Sequence, residues 1–198
     1  YKEKRIVDSL GVEPTLPVHT AWDLGMDDAT TIWFFQIYRN EIRIVNYYEN
    51  SGEGLPHYAR ELHTWSARKE VAYGKHYAPH DIKVRELGTG KSRLEMARSM
   101  GLKFTTVKKI PVIDGIEAVR LLLHKCWFSK SDCYAGIEAL KGYHKEFDSS
   151  RGVFRKQPVH DANSHGADAF RTLAVGLKQP SLEKKKQNFE YEVKGISW

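Results

Sequence analysis

The alternation of apolar and polar positions changes its period several times along this chain, and each change marks an element. From Val18 the pattern is that of strands: VHTAWDLG, then TTIWFFQIYR, then EIRIVNYYEN, all rich in β-branched and aromatic residues and separated by turn material. Three antiparallel strands are the economical arrangement, with a tight hairpin at Arg39-Asn40-Glu41 and an end to the meander at Ser51-Gly52-Glu53-Gly54. The period then lengthens. Leu55, Tyr58, Ala59, Leu62 and Trp65 recur at helical spacing and predict an amphipathic helix crossing the sheet. A helical crossover reverses the chain, so the next segment, KHYAPHD, is predicted to lie parallel to the first strand.

Further helices are predicted over 92–100, over 114–126 with Ile116, Val119 and Leu123 inward, and over 132–143. Segment 148–158 reads as a loop or hairpin whose Arg155 and Lys156 suit a mobile element touching DNA. The last helix, from Ala162 to about Lys178, buries Ala167, Phe170, Ala174 and Leu177 and carries Asp161, Ser164, His165 and Asp168 on a polar stripe; Pro180 stops it. The expected organisation is an exposed lead-in over 1–14, one α/β domain over 15–178, and a charged tail over 179–198.

Composition narrows the class. At 198 residues, 41% hydrophobic and 28% charged, the chain suits one domain with a tail. No run approaches the roughly 18 consecutive apolar residues of a membrane span, and the start YKEKRIVDS lacks a signal-peptide pattern, so a soluble intracellular protein without a membrane partner is expected. The absence of an initiator Met points to a piece of something longer, or to processing. Cys126 and Cys133 sit in no paired-ligand motif and read as buried or idle thiols.

The charge is unevenly placed. The net value is +6 with a pI near 9.2, and Lys83, Arg85, Lys91, Arg93, Arg98, Lys103, Lys108 and Lys109 follow Asp81 against only Glu86 and Glu95. A second basic group runs through Lys141, Lys145, Arg151, Arg155 and Lys156. Such clusters are either a solvated basic surface or a track for a phosphate backbone, which binds by counterion release without reading sequence. Few aromatics interleave them, which favours contact with a duplex backbone over stacking on unpaired bases. Lys83, Arg85, Lys91, Arg93, Arg155 and Lys156 are the candidate DNA contacts.

Three aspartates in three different settings are bracketed by this charge: Asp23 in PVHTAWDLGMDDAT, Asp81 in KHYAPHDIKV, and Asp168 in VHDANSHGADAFRTLA. Each has an ordinary alternative, as a turn residue, a strand-end turn former and an exposed helical charge. Jointly they suggest more. Parallel first and fourth strands would bring Asp23 and Asp81 close, and a small-residue helix could lay Asp168 over the same edge, gathering the hard oxygen ligands that Mg²⁺ or Mn²⁺ requires. His165, one turn before Asp168, could position water, contact phosphate or ligate metal. Asp161 has the position of a helix N-cap and is held as a supporting residue. Asp27 and Asp28, in the loop after Asp23, are solvated or help shape the metal site. Gly88-Thr89-Gly90-Lys91-Ser92 ends like a phosphate-binding loop, but Arg85 stands where the motif needs its first glycine, and no acidic strand follows. No G-x-S-x-G elbow supports a serine hydrolase.

The succession of D-x-G on the first strand, an aspartate after the fourth, and the late run His160-Asp161-Ala162-Asn163-Ser164-His165-Gly166-Ala167-Asp168-Ala169-Phe170-Arg171 resembles the nuclease domain of the large terminase subunit of tailed bacteriophages, within the ribonuclease H-like superfamily. The likeness covers roughly 15–178. It implies an α/β fold in which a mixed sheet, an antiparallel meander plus parallel strands, is flanked by helices. It implies cleavage of concatemeric double-stranded DNA with two Mg²⁺ or Mn²⁺ ions, Asp23 bridging both and Asp81 and Asp168 completing one each. The implied partners are an N-terminal packaging ATPase domain of the same subunit, which this sequence does not supply, together with a portal and a small terminase subunit, in the host cytoplasm and not in the mature virion. A nuclease of the same fold acting on junctions or RNA hybrids, and a catalytically inactive DNA-binding domain, remain open alternatives.

Overall fold

The computed structural model describes residues 5–25, 29–85, 90–155 and 157–178. Asp27, Asp28, Gly88, Thr89, Lys156 and the tail over 179–198 lie outside them.

Two residues near the start, β1 (Ile6–Val7), are followed by the meander of β2 (Val18–Asp23), β3 (Thr30–Tyr38) and β4 (Glu41–Asn50). The β3–β4 hairpin closes over Arg39 and Asn40, with Arg39 at φ 53°, as the sequence predicts. Helix α1 (Leu55–Lys69) buries Tyr58, Ala59, Leu62 and Trp65, the stripe its periodicity marks. It returns the chain to β5 (Tyr73–Ala78), which pairs with β2 in parallel. A one-turn 3-10 helix (His80–Lys83) leads to α2 (Arg93–Ser99), β6 (Phe104–Thr106), α3 (Val112–Leu123), β7 (Cys126–Ser129), α4 (Lys130–Gly142), the hairpin of β8 (Phe147–Asp148) and β9 (Val153–Phe154), and finally α5 (Ala162–Lys178).

The main sheet has seven strands in the order β1-β7-β4-β3-β2-β5-β6, with the meander antiparallel and every other pairing parallel. This is the mixed α/β architecture expected. Its two faces each carry a core. Trp22, Ile32, Phe34 and Val45 pack with α1 and α2 on one side; Ala21, Trp33, Phe35, Ile44 and Tyr47 pack with α4 and α5 on the other. Alternating side chains of a strand face opposite ways, so β2 and β3 each feed both cores. Trp22 and Trp33, fully buried on opposite faces, each withdraw enough apolar surface to contribute about 3 kcal/mol or more.

Several details differ from the sequence reading. The lead-in expected over 1–14 is tied to the domain: Ile6 and Val7 pair with Phe128 and Ser129, and the Glu13 backbone N–H and carbonyl both bond the buried Gln36 side chain. Helix α3 stops at Leu123, and Cys126 opens a core strand rather than ending a helix. Leu123 is exposed; Gly115 and Ala118 face inward, because the aliphatic stem of Arg171 lies against Gly115. Ser164 is buried, its hydroxyl donating to the Asp161 carbonyl. Both cysteines are free and buried, as expected, and burial pushes the Cys126 thiol up to about 12.

Candidate metal centre

Asp23 is the last residue of β2, and Ala21 beneath it belongs to the core on the α5 side, so the carboxylate emerges on that face. Helix α5 is laid across the same edge by contacts to the neighbouring strand. Thr31 Oγ donates to the His165 carbonyl at 2.9 Å, and Trp33 Nε1 donates to the Gly166 carbonyl at 2.8 Å. The helix can come this close because residue 166 is glycine: a Cβ there would stand 2.9 Å from both the Tyr47 hydroxyl and the Ala139 Cβ. Two hydrogen bonds and one missing methyl group thus fix the turn that carries His165 and, one turn on, Asp168.

The result is a compact polar corner. His165 Nδ1 lies 3.4 Å from Asp23 Oδ2. The His160 ring meets the His165 ring edge-on at 5.4 Å, and His160 Nδ1 lies 2.9 Å from the Ser164 hydroxyl. That hydroxyl already donates to Asp161, so His160 Nδ1 carries the proton in the bond between them. Asp161 directly precedes α5, and its Oδ1 accepts from the Asn163 backbone N–H at 2.9 Å, the N-cap its position predicts.

Asp168 is the tense member. Burial holds its carboxyl above the ordinary aspartate range; Arg171 opposes that shift, Asp23 adds to it, and His160 and His165 oppose it. Arg171 Nη1 lies 2.7 Å from Asp168 Oδ1, yet off the direction of a hydrogen bond, so this buried oxygen has no hydrogen-bond partner. Two carboxylates near enough to feel each other's charge, Asp23 and Asp168, are hard oxygen donors of the kind a divalent cation takes. Among the described residues no three His, Cys, Asp or Glu side chains stand close enough to hold an ion unaided, so water and phosphate oxygens must complete any coordination, as is usual for Mg²⁺.

Asp81 is placed differently. Strand β5 ends at Ala78, and Asp81 sits in the 3-10 turn beyond it, exposed, at the end of the sheet where β2 also ends. Among the described residues no hydrogen bond or ion pair links it to Asp23 or Asp168. The structure therefore sets His165 against Asp23, places Asp168 near enough to feel both charges, and leaves Asp81 as an exposed carboxylate at the same end of the sheet.

The basic candidates also divide. Lys83, Arg85 and Lys91 are exposed, with Arg85 4.0 Å from Glu95. Arg155, on the β8–β9 side of the corner, pairs with Glu146 at 3.1 Å. Arg93 is half-buried and donates from Nη1 to the Leu24 carbonyl at 2.9 Å, gripping the residue that follows Asp23. Ser92 of the Gly-Lys-Ser run caps α2, accepting from the Glu95 N–H while Glu95 reaches back to the Ser92 N–H, which is a capping-box role.

One carboxylate escaped the sequence reading. Asp23 pairs with Thr31 and Thr31 with Glu49, so the three lie in a row across β2, β3 and β4 on one face. Tyr47 donates to Glu49 Oε2 at 2.5 Å. Burial keeps the Tyr47 phenol protonated far above its usual range, reinforced by Glu49 and then by Asp23. No motif marks Glu49; only strand register does.

No family model and no curated protein matches the sequence. Solved structures do match the fold. The large terminase of a thermophilic bacteriophage superposes with a TM-score of 0.67 at 18% identity, over 88% of this chain and 43% of that one. This chain therefore spans less than half the length of that protein. The P22 large terminase nuclease domain matches at a TM-score of 0.63 and 15% identity, over 90% of both chains. The nuclease domain of the large terminase g2p of bacteriophage SPP1, solved with bound Mn, matches at 0.56 and 14% identity, over 79% of this chain and 84% of that one. The shared architecture is the ribonuclease H-like nuclease fold.

Proposed function

We propose that this chain is a divalent-metal-dependent endonuclease domain that hydrolyses double-stranded DNA during viral genome packaging, as part of a larger terminase subunit. The observation that carries the reading is the pairing of His165 with Asp23 beside the half-buried Asp168, whose carboxyl feels the Asp23 charge, in a fold shared with large-terminase nuclease domains. The chemistry of the donors favours Mg²⁺ or Mn²⁺ over softer metals, since they are carboxylate oxygens with one imidazole and no thiolate. Asp23 and Asp168 would hold the metal, with Asp81 as the third carboxylate of the family pattern.

When bound, such ions activate water and neutralise charge on the scissile phosphate and the leaving oxygen. The chain's own residues do the rest. β2 holds Asp23 within the sheet, and Arg93 fixes the backbone just beyond it. His165 orients the Asp23 carboxylate, and Arg171, 2.7 Å from Asp168 Oδ1, balances part of its charge. Lys83, Arg85, Lys91 and Arg155 supply backbone phosphate contacts that carry no base information. A protein nucleophile is not required, and both thiols are buried with their protons held on. In packaging, the domain would act on concatemers beside an ATPase domain, a portal and a small terminase subunit in the host cytoplasm.

The test is supercoiled plasmid with Mg²⁺ or Mn²⁺. The parent should nick and linearise it and stop on EDTA addition. Asp23→Asn should cut at least about 100-fold more slowly while melting within a few degrees of the parent. A parent that binds duplex tightly but never cuts it is the inactive DNA-binding alternative; preference for junctions or RNA hybrids in a substrate panel is the other.

A further inference from the structure

The row Asp23–Thr31–Glu49 depends on one irregularity. Near the hairpin turn Phe35 pairs with Ile44, but one residue further along β3 Phe34 pairs with Asn46, so β4 carries one extra residue at a bulge. Val45, beside that bulge, turns into the α1-side core. Without the extra residue, Tyr48 would oppose Thr31 and Glu49 would point to the opposite face, because a one-residue slip exchanges the faces of a strand. The bulge therefore moves Tyr47 and Glu49 together onto the face where α5 lies. There the Tyr47 hydroxyl sits against Gly166, and it holds the Glu49 carboxylate at 2.5 Å.

We propose that Glu49 is a further cation-facing carboxylate of the Asp23–Asp168 site, turned onto the α5 face by the β4 bulge and positioned by Tyr47. The inference rests on the metal-dependent reading above. Two strand spacings of about 4.8 Å separate Asp23 from Glu49 along the row, a gap that the longer glutamate side chain can lean across toward a hydrated cation. Tyr47 leaves one glutamate oxygen committed and the other available. It is a positioning residue, acting through Glu49.

Calorimetric titration of the protein with Mn²⁺ near neutral pH tests this without any need for cleavage. Glu49→Gln should bind Mn²⁺ about 10-fold or more weakly, in the range found for losing a supporting ligand, while melting as the parent does in EDTA, since the side chain is exposed. Glu49→Asp should fall between the two. Tyr47→Phe should weaken binding by only about 3-fold, the size of one lost hydrogen bond, because the carboxylate remains. Parental affinity in Glu49→Gln alongside lost affinity in Asp23→Asn would overturn the assignment of Glu49 and leave the metal site standing. Parental affinity in Asp23→Asn, or no binding by the parent, would overturn the metal reading and this inference with it.

Discussion

Two polar regions share strand β2, and they are built in opposite ways. In the seam with β5, His76 is buried and His19 half-buried, one on each face, and each ring has a partner for its Nδ1. His19 Nδ1 accepts from the Lys75 backbone N–H at 2.9 Å. His76 Nδ1 lies 2.7 Å from the Thr20 hydroxyl, which accepts from Trp22 Nε1. The His19 ring is thereby fixed as an acceptor at Nδ1, and burial brings each ring down to about 4. At the corner above Asp23, burial instead raises Asp168, and one of its oxygens is left without a hydrogen bond. Burial acts on both regions, but it keeps uncharged the rings of the seam, which hydrogen-bond through Nδ1, and strains a carboxylate that Arg171 neutralises without a hydrogen bond at Oδ1.

The comparison breaks most visibly at Asp168. Asp168→Asn should lower metal-dependent plasmid cleavage by about 100-fold or more, yet unfold in EDTA at the same or a higher temperature than the parent. A carboxyl whose folded pKa is raised stabilises below its unfolded pKa and loses that stability as pH rises through the folded value, so at neutral pH the charged form is the costly one. The thermal advantage of the Asn variant should therefore vanish on acidification. Metal should also stabilise this variant less, since stabilisation follows affinity for the native site. A variant clearly less stable in EDTA, but gaining as much from metal, would make Asp168 an ordinary structural residue.

The seam should respond to pH with the opposite sign. Histidines lowered to about 4 contribute stability that is full above 6.5 and lost as pH falls toward 4, up to about 3 kcal/mol for each ring. Thermal melts of the parent between pH 7 and 4 should show a steep loss, and His76→Gln should start lower at pH 7 but fall less. A parent whose melting temperature is flat over that range would show the rings are not held neutral.

The smallest effect belongs to the cap. Asp161→Ala should cost about 1 kcal/mol through the lost bond to the Asn163 N–H, measured by urea unfolding. It should reduce cleavage far less than Asp168→Asn. An Asp161→Ala variant as inactive as Asp168→Asn would move Asp161 into the site.

Much of the frame was legible from sequence because it is encoded locally. The meander follows from two-residue periodicity and the Arg39-Asn40 turn, and α1 and α5 from helical stripes long enough to read. The small strands were not legible. Ile6–Val7, Phe104–Thr106 and Cys126–Ser129 are too short to show a period, and they are strands only because distant partners offer free backbone groups. At the candidate site, motif and spacing singled out Asp23, His165 and Asp168, and the structure sets His165 against Asp23 with Asp168 one turn on. Nor does charge alone say that the Arg93 guanidinium meets the Leu24 carbonyl.

By itself the sequence determined which residues could act: carboxylates at strand and helix ends, a helix of small residues able to approach a sheet, and basic clusters around them. Only the tertiary structure decided which of them meet. Thr31 and Trp33 seat α5 through carbonyls that any sequence would offer, so nothing in the helix announces that contact. Glu49 reaches the face of Asp23 because one extra residue in β4 reverses its side, and such a register shift is settled by packing on both faces of the sheet rather than by the residues at the bulge.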